Sequence, residues 1–387
     1  MKAVVLAAGE GRRLRPLTVL RPKPMVPVGN KPVLEHVVDA LVDADVTELV
    51  FVVGYRRERI QTYFGDGNDL GASIEYVVQE KQLGTGHALL QAEEKVDDEF
   101  LVVNGDSFVS TDLLADLVKT EDGGSAVAVT RSDEPTDYGV VDVKNGNVVD
   151  LEEKPRVYDA ETETINAGAY RFGTRIFDDI RESSGGGEMA LTDAVLRRVK
   201  DGDVQAVYTD GWNDISHLWD ILRINAAMVG EDIKNGTETD DGSRKGVHPT
   251  AHVADAVVVG KNVRVGPNAT VLPGTSLGDN VSVGAGAVVA NSVLFADASV
   301  DENAVVRDAV VAGNGSVGPN ATVEGGKADV VVEDELYQNV RLGGVVGDNS
   351  TVGGGACLKP GTVLGNNVRV GTGTTADGRI ESGTVVR

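Results

Sequence analysis

Glycine and arginine recur near the start of the chain in a pattern suited to anions. The stretch VVLAAGEGRRLRPLT, Val4 to Thr18, is an apolar run followed by Gly9 and Gly11, then Arg12, Arg13 and Arg15. Lys23 follows in the stiff frame Pro22-Lys23-Pro24. A glycine loop after a strand offers backbone N–H groups to phosphates, and nearby guanidinium groups add fixed positive charge. The dinucleotide fingerprint G-x-G-x-x-G fails, because Leu14 stands where its third glycine belongs. No clean acidic partner for a ribose stands about twenty residues further on either. A P-loop would need four residues between its glycines and then Gly-Lys-Ser/Thr, which is absent. The remaining reading is a flexible phosphate-holding loop. A second candidate lies in LVVNGDSF, where Asp106 follows an apolar run. A carboxylate at a strand end can hold Mg²⁺ against phosphates, although N-G-D alone is more often a turn.

These groups need a scaffold, and the sequence predicts one in two parts. Residues 1–228 alternate apolar runs with amphipathic stretches: candidate strands are Lys2–Ala7, Glu48–Val53, Ser73–Val78, Phe100–Asn104 and Ser125–Thr130, with helical patterns over Val33–Asp43 and His87–Glu94. That alternation predicts a mostly parallel sheet covered by helices, with ligands at the carboxyl ends of its strands. Residues 229–246 contain the polar, glycine-rich GEDIKNGTETDDGSRKG and read as a linker. Residues 247–387 are periodic in six. Val253, Val259, Val265, Val271, Leu277, Val283 and Val289 fall on one frame, Val305, Val311, Val317 and Val323 on a second, and Val346, Val352, Leu358, Leu364 and Val370 on a third. Such hexapeptides predict a parallel β-helix of triangular coils, aliphatic residues inward and small residues at the corners. Residues 324–345 interrupt the repeat and are expected to loop out from one edge.

Composition narrows the function classes. The 387 residues carry 36 Lys and Arg against 60 Asp and Glu, a net charge of −24. That balance argues against nucleic acid as a partner, which requires clustered basic residues. The acidic excess is spread along the chain rather than gathered in a tail, which fits a whole-surface adaptation to a salt-rich, halophilic cytosol. No run approaches the ~20 apolar residues of a membrane span, so no membrane partner is expected. The short apolar start leads into a charged loop, not a cleavage site, and reads as a buried strand. A single cysteine, Cys357, excludes an intrachain disulfide and a cysteine zinc cluster. A cytoplasmic location is the expectation.

Over about thirty residues, LAAGEGRRLRPLTVLRPKPMVPVGNKPVLEH resembles the signature of the sugar-1-phosphate nucleotidylyltransferases, L-A-x-G-x-G-x-R-L-x-P-L-T followed by P-K-x-M-x-P-V and K-P. The resemblance is to the glucose-1-phosphate thymidylyl/uridylyl and N-acetylglucosamine-1-phosphate uridylyl types. It implies an α/β, Rossmann-like nucleotidyltransferase domain followed by a left-handed parallel β-helix. It also implies a reaction of a nucleoside triphosphate, UTP or dTTP, with a sugar 1-phosphate, giving nucleotide-sugar and pyrophosphate. A sugar-phosphate oxygen attacks the α-phosphorus in line, so the site must screen anion repulsion and align three atoms, and no protein nucleophile is required.

Carried over position by position, the resemblance gives Arg13 and Lys23 as catalytic cations, with Leu6, Ala8, Gly9, Gly11 and Arg12 around the nucleotide. Arg12 and Arg15 read equally well as solvated surface charges. VVQEKQLGTGHALLQA resembles the base-reading segment of the uridylyltransferase branch, implying Gln79, Gly84 and Thr85. DYGVVDV, LEEKPRV and TINAGAYRF resemble sugar-contacting segments, implying Gly139, one of Glu152 or Glu153, Lys154 and Asn166. Asp214 in GWNDISHLWD matches the second metal carboxylate beside Asp106, with Mg²⁺ as the implied cofactor. Relatives usually carry glycine after that D-I or D-T, whereas this chain has Ser216 and His217.

Three roles for the second domain remain open. The β-helix serves assembly, implying a homo-oligomer, a trimer through the β-helix being typical. Or the chain also acetylates glucosamine 1-phosphate from acetyl-coenzyme A; its five histidines, at 36, 87, 217, 248 and 252, leave none in the later coils for the usual base. Or it is a catalytically silent sensor of nucleotide-sugars, although Arg13, Lys23, Asp106 and Asp214 are all present.

Overall fold

Side-chain alternation builds the first sheet. In the computed structural model, which describes residues 1–96, 98–120, 124–156, 162–183, 187–202, 204–234, 243–333 and 335–387, β1 (Lys2–Ala7) turns Ala3, Val5 and Ala7 to one core and Val4 and Leu6 to another. A strand covered on both faces must be apolar throughout, which explains the run AVVLA.

The chain divides into two compact units. One comprises Met1–Glu10, Pro22–Met25 and Val33–Asp214; the other comprises Gly11–Arg21, Val26–Pro32 and Ile215–Arg387. In the second unit β2 (Pro27–Val28) and β3 (Lys31–Pro32) form a small antiparallel ladder.

The first unit continues with α1 (Val33–Asp43), β4 (Glu48–Val53), α2 (Arg57–Phe64), β5 (Ser73–Val78) and α3 (Thr85–Leu90). There follow β6 (Phe100–Asn104), β7 (Ser107–Val109), α4 (Thr111–Val118), β8 (Ser125–Arg131), β9 (Gly139–Lys144) and β10 (Asn147–Glu153). β11 (Thr164–Phe172), α5 (Ile176–Ser183), α6 (Leu191–Lys200), β12 (Val204–Tyr208) and β13 (Trp212–Asp214) complete it. The large sheet has the order β5-β4-β1-β6-β11-β8-β12-β10-β9. β5, β4, β1 and β6 are mutually parallel, and β11 enters antiparallel beside β6. Helices α1, α2 and α4 pack on one face, and α3, α5 and α6 on the other. The pattern predicted over His87–Glu94 resolves as α3 beginning at Thr85, then a separate turn of 3₁₀ helix over Glu93–Lys95.

The second unit is built from α7 (Leu218–Lys234) and three all-parallel sheets of seven short strands, consistent with a left-handed β-helix. Val265 lies opposite Val283 and Val271 opposite Val289, each three hexapeptides on. The ladder then shortens. Leu277 pairs with Leu294, and Val289 with Val306, one residue less than a full coil. The inward residue there is therefore Val306 and not Val305, which is only half-buried. Two corners each lack one residue, between Val289 and Leu294 and between Val306 and Val311. A residue two before the inward aliphatic, such as Ala269, Ala287, Ala304, Ala321 or Ala356, is buried in the same core. Many corners are turned by asparagines with positive φ, among them Asn262, Asn280, Asn303 and Asn367, a conformation asparagine tolerates better than most residues. The interruption at 324–345 is a β-hairpin, with Lys327–Val332 antiparallel to Glu335–Arg341. Within the polar 229–246 span, α7 continues to Lys234, and residues 235–242 lie outside the described residues.

Candidate active site

Carbonyl and amide groups just past the carboxyl ends of β1, β4, β5 and β6 meet at one end of the large sheet. Leu6 O accepts from Gly105 N–H at 2.9 Å, and Ala8 O accepts from Tyr55 N–H at 3.2 Å and from Gln82 Nε2 at 2.9 Å. Gly9, next in line, stands in open space, so packing does not require a glycine there.

Lys23 forms the electrostatic centre. Its ammonium donates to Asp214 Oδ1 at 2.9 Å and lies 3.0 Å from Asp106 Oδ2. Asp106 reaches this point from the turn after β6. Asp214 arrives because β13 pairs antiparallel with β7, setting Asp214 opposite Ser107. That two-stranded ladder is why residues far apart in sequence meet. Gly211 makes it feasible, since a Cβ there would fall 2.3 Å from Ser110 Oγ. Burial alone would lower the Lys23 pKa, but the charges and hydrogen bonds of Asp106 and Asp214 outweigh it and hold the ammonium above its ordinary range.

The two carboxylates thus converge on one cationic atom. Among the described residues, no third His, Cys, Asp or Glu joins them. Two carboxylates are what a divalent ion needs when substrate phosphates and water supply its other ligands, so this donor set fits such an ion.

The segment that resembles a base reader is held just as closely. Gln79, buried at the end of β5, donates through Nε2 to Gly84 O at 3.1 Å and meets His87 Nδ1 at 3.0 Å. Gly84 has φ +101°, and a Cβ there would lie 2.4 Å from Met189 O. Met189 brackets the loop, donating to Leu83 O at 2.7 Å and accepting from Gly86 N–H at 2.8 Å. Thr85 Oγ1 accepts from Leu191 N–H at 3.0 Å.

A third group gathers around a bulge in β11. The register slips between Asn166 and Tyr170, which re-aims the strand. Gly168 carries φ +68°, and a Cβ there would fall 2.3 Å from Asn104 Nδ2. Asn166 accepts from Gly168 N–H at 3.0 Å and donates to Tyr170 Oη at 2.6 Å. Burial pushes the Tyr170 hydroxyl pKa up, Asn166 opposes this, and Glu153 adds to it.

The two glutamates separate here. Glu153 pairs with Gly139, its Oε2 3.1 Å from where a Gly139 Cβ would stand, while Glu152 pairs with Val140. Desolvation raises the Glu153 pKa, Lys154 opposes this, and Asp193 and Glu188 reinforce it. Lys154 takes φ +47° and donates its N–H to Tyr138 O at 3.0 Å. The Tyr138 ring stands edge-on to Trp212, 5.5 Å between centroids, which ties this segment to β13.

Gly11, Arg12 and Arg13 belong to the other unit. Gly11, with φ +66°, caps a 3₁₀ turn over Arg12–Leu14, and Thr18 Oγ1 donates to Gly11 O at 2.7 Å. Arg13 Nε lies 3.8 Å from Glu333 Oε2 on the inserted hairpin. Ser216 and His217, the departure from the usual glycine, donate backbone N–H bonds to Asp220 Oδ2 and so cap α7. The His217 ring stacks on Trp219 and packs against Tyr337, at 4.5 Å in each case.

Gln82, Asn104, Tyr170 and Met189 complete these groups without having been singled out in the sequence. The first three lie inside motifs that draw attention; nothing in the sequence marks Met189.

Residues 2–230 match the nucleotidyl transferase family, and residues 244–381 match the GMPPB C-terminal domain. The chain is 39% identical over 235 residues to the bifunctional protein GlmU of Methanococcus maripaludis, covering 60% of this chain and 55% of that one. It thus spans about half the length of that relative. It is 37% identical over 257 residues to the low-salt glycan biosynthesis nucleotidyltransferase Agl11 of Haloferax volcanii, covering 64% and 71% of the two chains. Among solved structures, a Bacillus anthracis protein assigned as a glucose-1-phosphate thymidylyltransferase, in complex with sucrose, superposes with a TM-score of 0.55 at 28% identity, covering 59% of this chain and 94% of that one. No helix among the described residues is long and apolar enough to cross a membrane. With its layered sheet, its strand-end carboxylates and this match over more than half its length, the chain belongs to the nucleotidyl transferase family.

Proposed function

We propose that this protein is a sugar-1-phosphate nucleotidylyltransferase, joining UTP or dTTP to glucose 1-phosphate or N-acetylglucosamine 1-phosphate with release of pyrophosphate. The observation that carries the reading is Lys23 held between Asp106 and Asp214. An ammonium fixed in place before substrate arrives stabilises developing phosphoryl charge with little reorganisation. Arg13 adds a second cation to the triphosphate, and the Gly9–Arg12 backbone offers N–H groups.

Asp106 and Asp214 would hold Mg²⁺. When bound, the ion neutralises charge on the phosphates. Gln79, with the Gly84–Thr85 backbone, orients a uracil or thymine edge. Gly139, Glu153, Lys154 and Asn166 orient the sugar phosphate, and the pairing of Glu153 with Gly139 favours it over Glu152.

The absence of histidine from the later coils supports a non-acetylating β-helix that serves assembly, with a homo-oligomer, typically a trimer, as the expected state. The domain limits 1–228 and 247–387 follow the same reading. The net charge of −24 supports a salt-rich cytoplasm as the working environment. Incubating the purified chain with Mg²⁺ and each pairing of UTP, dTTP or GTP with glucose, N-acetylglucosamine or mannose 1-phosphate, with mass detection of nucleotide-sugar, tests the proposal. A UDP- or dTDP-sugar is expected; product only with GTP, or none, contradicts it.

A further inference from the structure

The signature loop Gly11–Arg21 belongs to the same compact unit as the β-helix, and its anchors follow one corner of that helix, with Arg379 on the strand leading into it. Arg21 pairs with Asp348, donates to Leu17 O at 3.3 Å and lies 5.0 Å over the ring of Phe295. Both members of the pair are largely shielded, at 18% and 5% side-chain exposure, so water screens them little. Asn366 Nδ2 donates to Pro16 O at 3.4 Å, and Arg379 donates to Arg15 O at 2.9 Å.

The corner is built in register. Val346 lies opposite Leu364, so Asp348 and Asn366 occupy equivalent places on successive coils, and Asp348 N–H donates to Asn366 Oδ1 at 2.8 Å. Phe295 follows Leu294 in the same sheet, two coils earlier. On the preceding coils this corner position holds Gly313 and Ala296, neither of which can pair with a guanidinium, and then Asp279, whose carboxylate accepts from Lys261 N–H at 2.7 Å.

We propose that this corner is a positioning device for the phosphate-holding loop, with Asp348 and Arg21 as its central positioning residues and Asn366 and Arg379 as outer ties. The β-helix would then act in the transfer reaction itself by fixing the loop backbone and, through it, Arg13. This rests on the loop binding triphosphate, as proposed above. Misplacing such a loop by about 1 Å costs up to about 10²-fold in rate.

Two full-length variants, Asp348→Asn and Arg379→Ala, test the device by hydrogen exchange and by kinetics. Asp348→Asn removes the charge and keeps the shape; Arg379→Ala acts at an exposed position and spares the fold if Asp348→Asn does not. Exchange at amides 11–15 and 17–21 should accelerate about tenfold, while amides of β1 and β4 stay at wild-type rates. The KM for the nucleoside triphosphate should rise about tenfold, with the KM for sugar 1-phosphate unchanged. Wild-type exchange in the loop of both variants overturns the proposal. So does a uniform acceleration with both KM values unchanged, because that marks a purely structural role. The exchange arm stands without turnover, so an inactive wild type would sink the transferase reading and leave the anchoring decided.

Discussion

Lys23 and Arg13 come from one signature, yet their surroundings are opposite. Lys23 is 13% exposed and lies within 3.0 Å of two carboxylates; Arg13 is 38% exposed, beside one half-exposed carboxylate 3.8 Å away. Removing a member of a buried charge cluster strands its partners, whereas an exposed pair is worth about 0–1 kcal/mol. Lys23 therefore serves the fold and the proposed chemistry together. Arg13 holds its carboxylate weakly, as its proposed exchange for phosphate requires.

The largest effect should come from Lys23→Ala. Turnover should fall by about 10²–10³, the scale for losing one preorganised electrostatic group. Stability should fall by about 3–5 kcal/mol in urea titration, because Asp106 and Asp214 lose the cation between them. Unchanged stability would erase the contrast with Arg13. Arg13→Ala should lower kcat/KM for the triphosphate about tenfold, the size of one charge-assisted hydrogen bond. Its unfolding midpoint should stay within about 0.5 kcal/mol of wild type; a large destabilisation would place Arg13 with Lys23 after all.

Glu333→Gln probes the other side of the exposed pair. It should lower the triphosphate KM by no more than about threefold, an effect that fades as salt is raised. A rise in KM would mean that Glu333 helps to position Arg13 instead of competing for it.

Glu153 sharpens the contrast most gently. Like Lys23 it is desolvated, but here Lys154 offsets only part of the penalty, and Asp193 and Glu188 add to it. Its raised pKa means that the folded chain binds this proton more tightly than the unfolded chain. The associated stability is complete below the ordinary glutamate range and is lost as pH rises through the raised folded value. Glu153→Gln should flatten that decline in unfolding titrations across this window; an undiminished slope would assign it to another group.

Much of this was legible in advance. β1, β4, β5, β6 and α1 begin and end where the apolar periodicity places them, because each is covered by its neighbours and its pattern is unambiguous. The β-helix is legible for the same reason, repeated many times. The shortened coils were not, since Val305 and Val306 are chemically equivalent and only the length of a corner decides which points inward. The hairpin reads as mere interruption because its strands pair with each other and break the six-residue step. At the site, residue types were readable but meetings were not. Asp106 and Asp214 come together through a two-stranded ladder, and the place of Glu153 over Gly139 depends on strand register. The anchoring of Arg21 by Asp348 joins positions no local pattern connects.

The most direct test of the account is pyrophosphate release by the wild-type chain with and without each substrate. We expect release only when a uridine or thymidine triphosphate, a sugar 1-phosphate and a divalent cation are all present, and its abolition by chelation. Release that proceeds without the sugar 1-phosphate, or that survives removal of divalent cation, would contradict a transfer centre built on Lys23, Asp106 and Asp214.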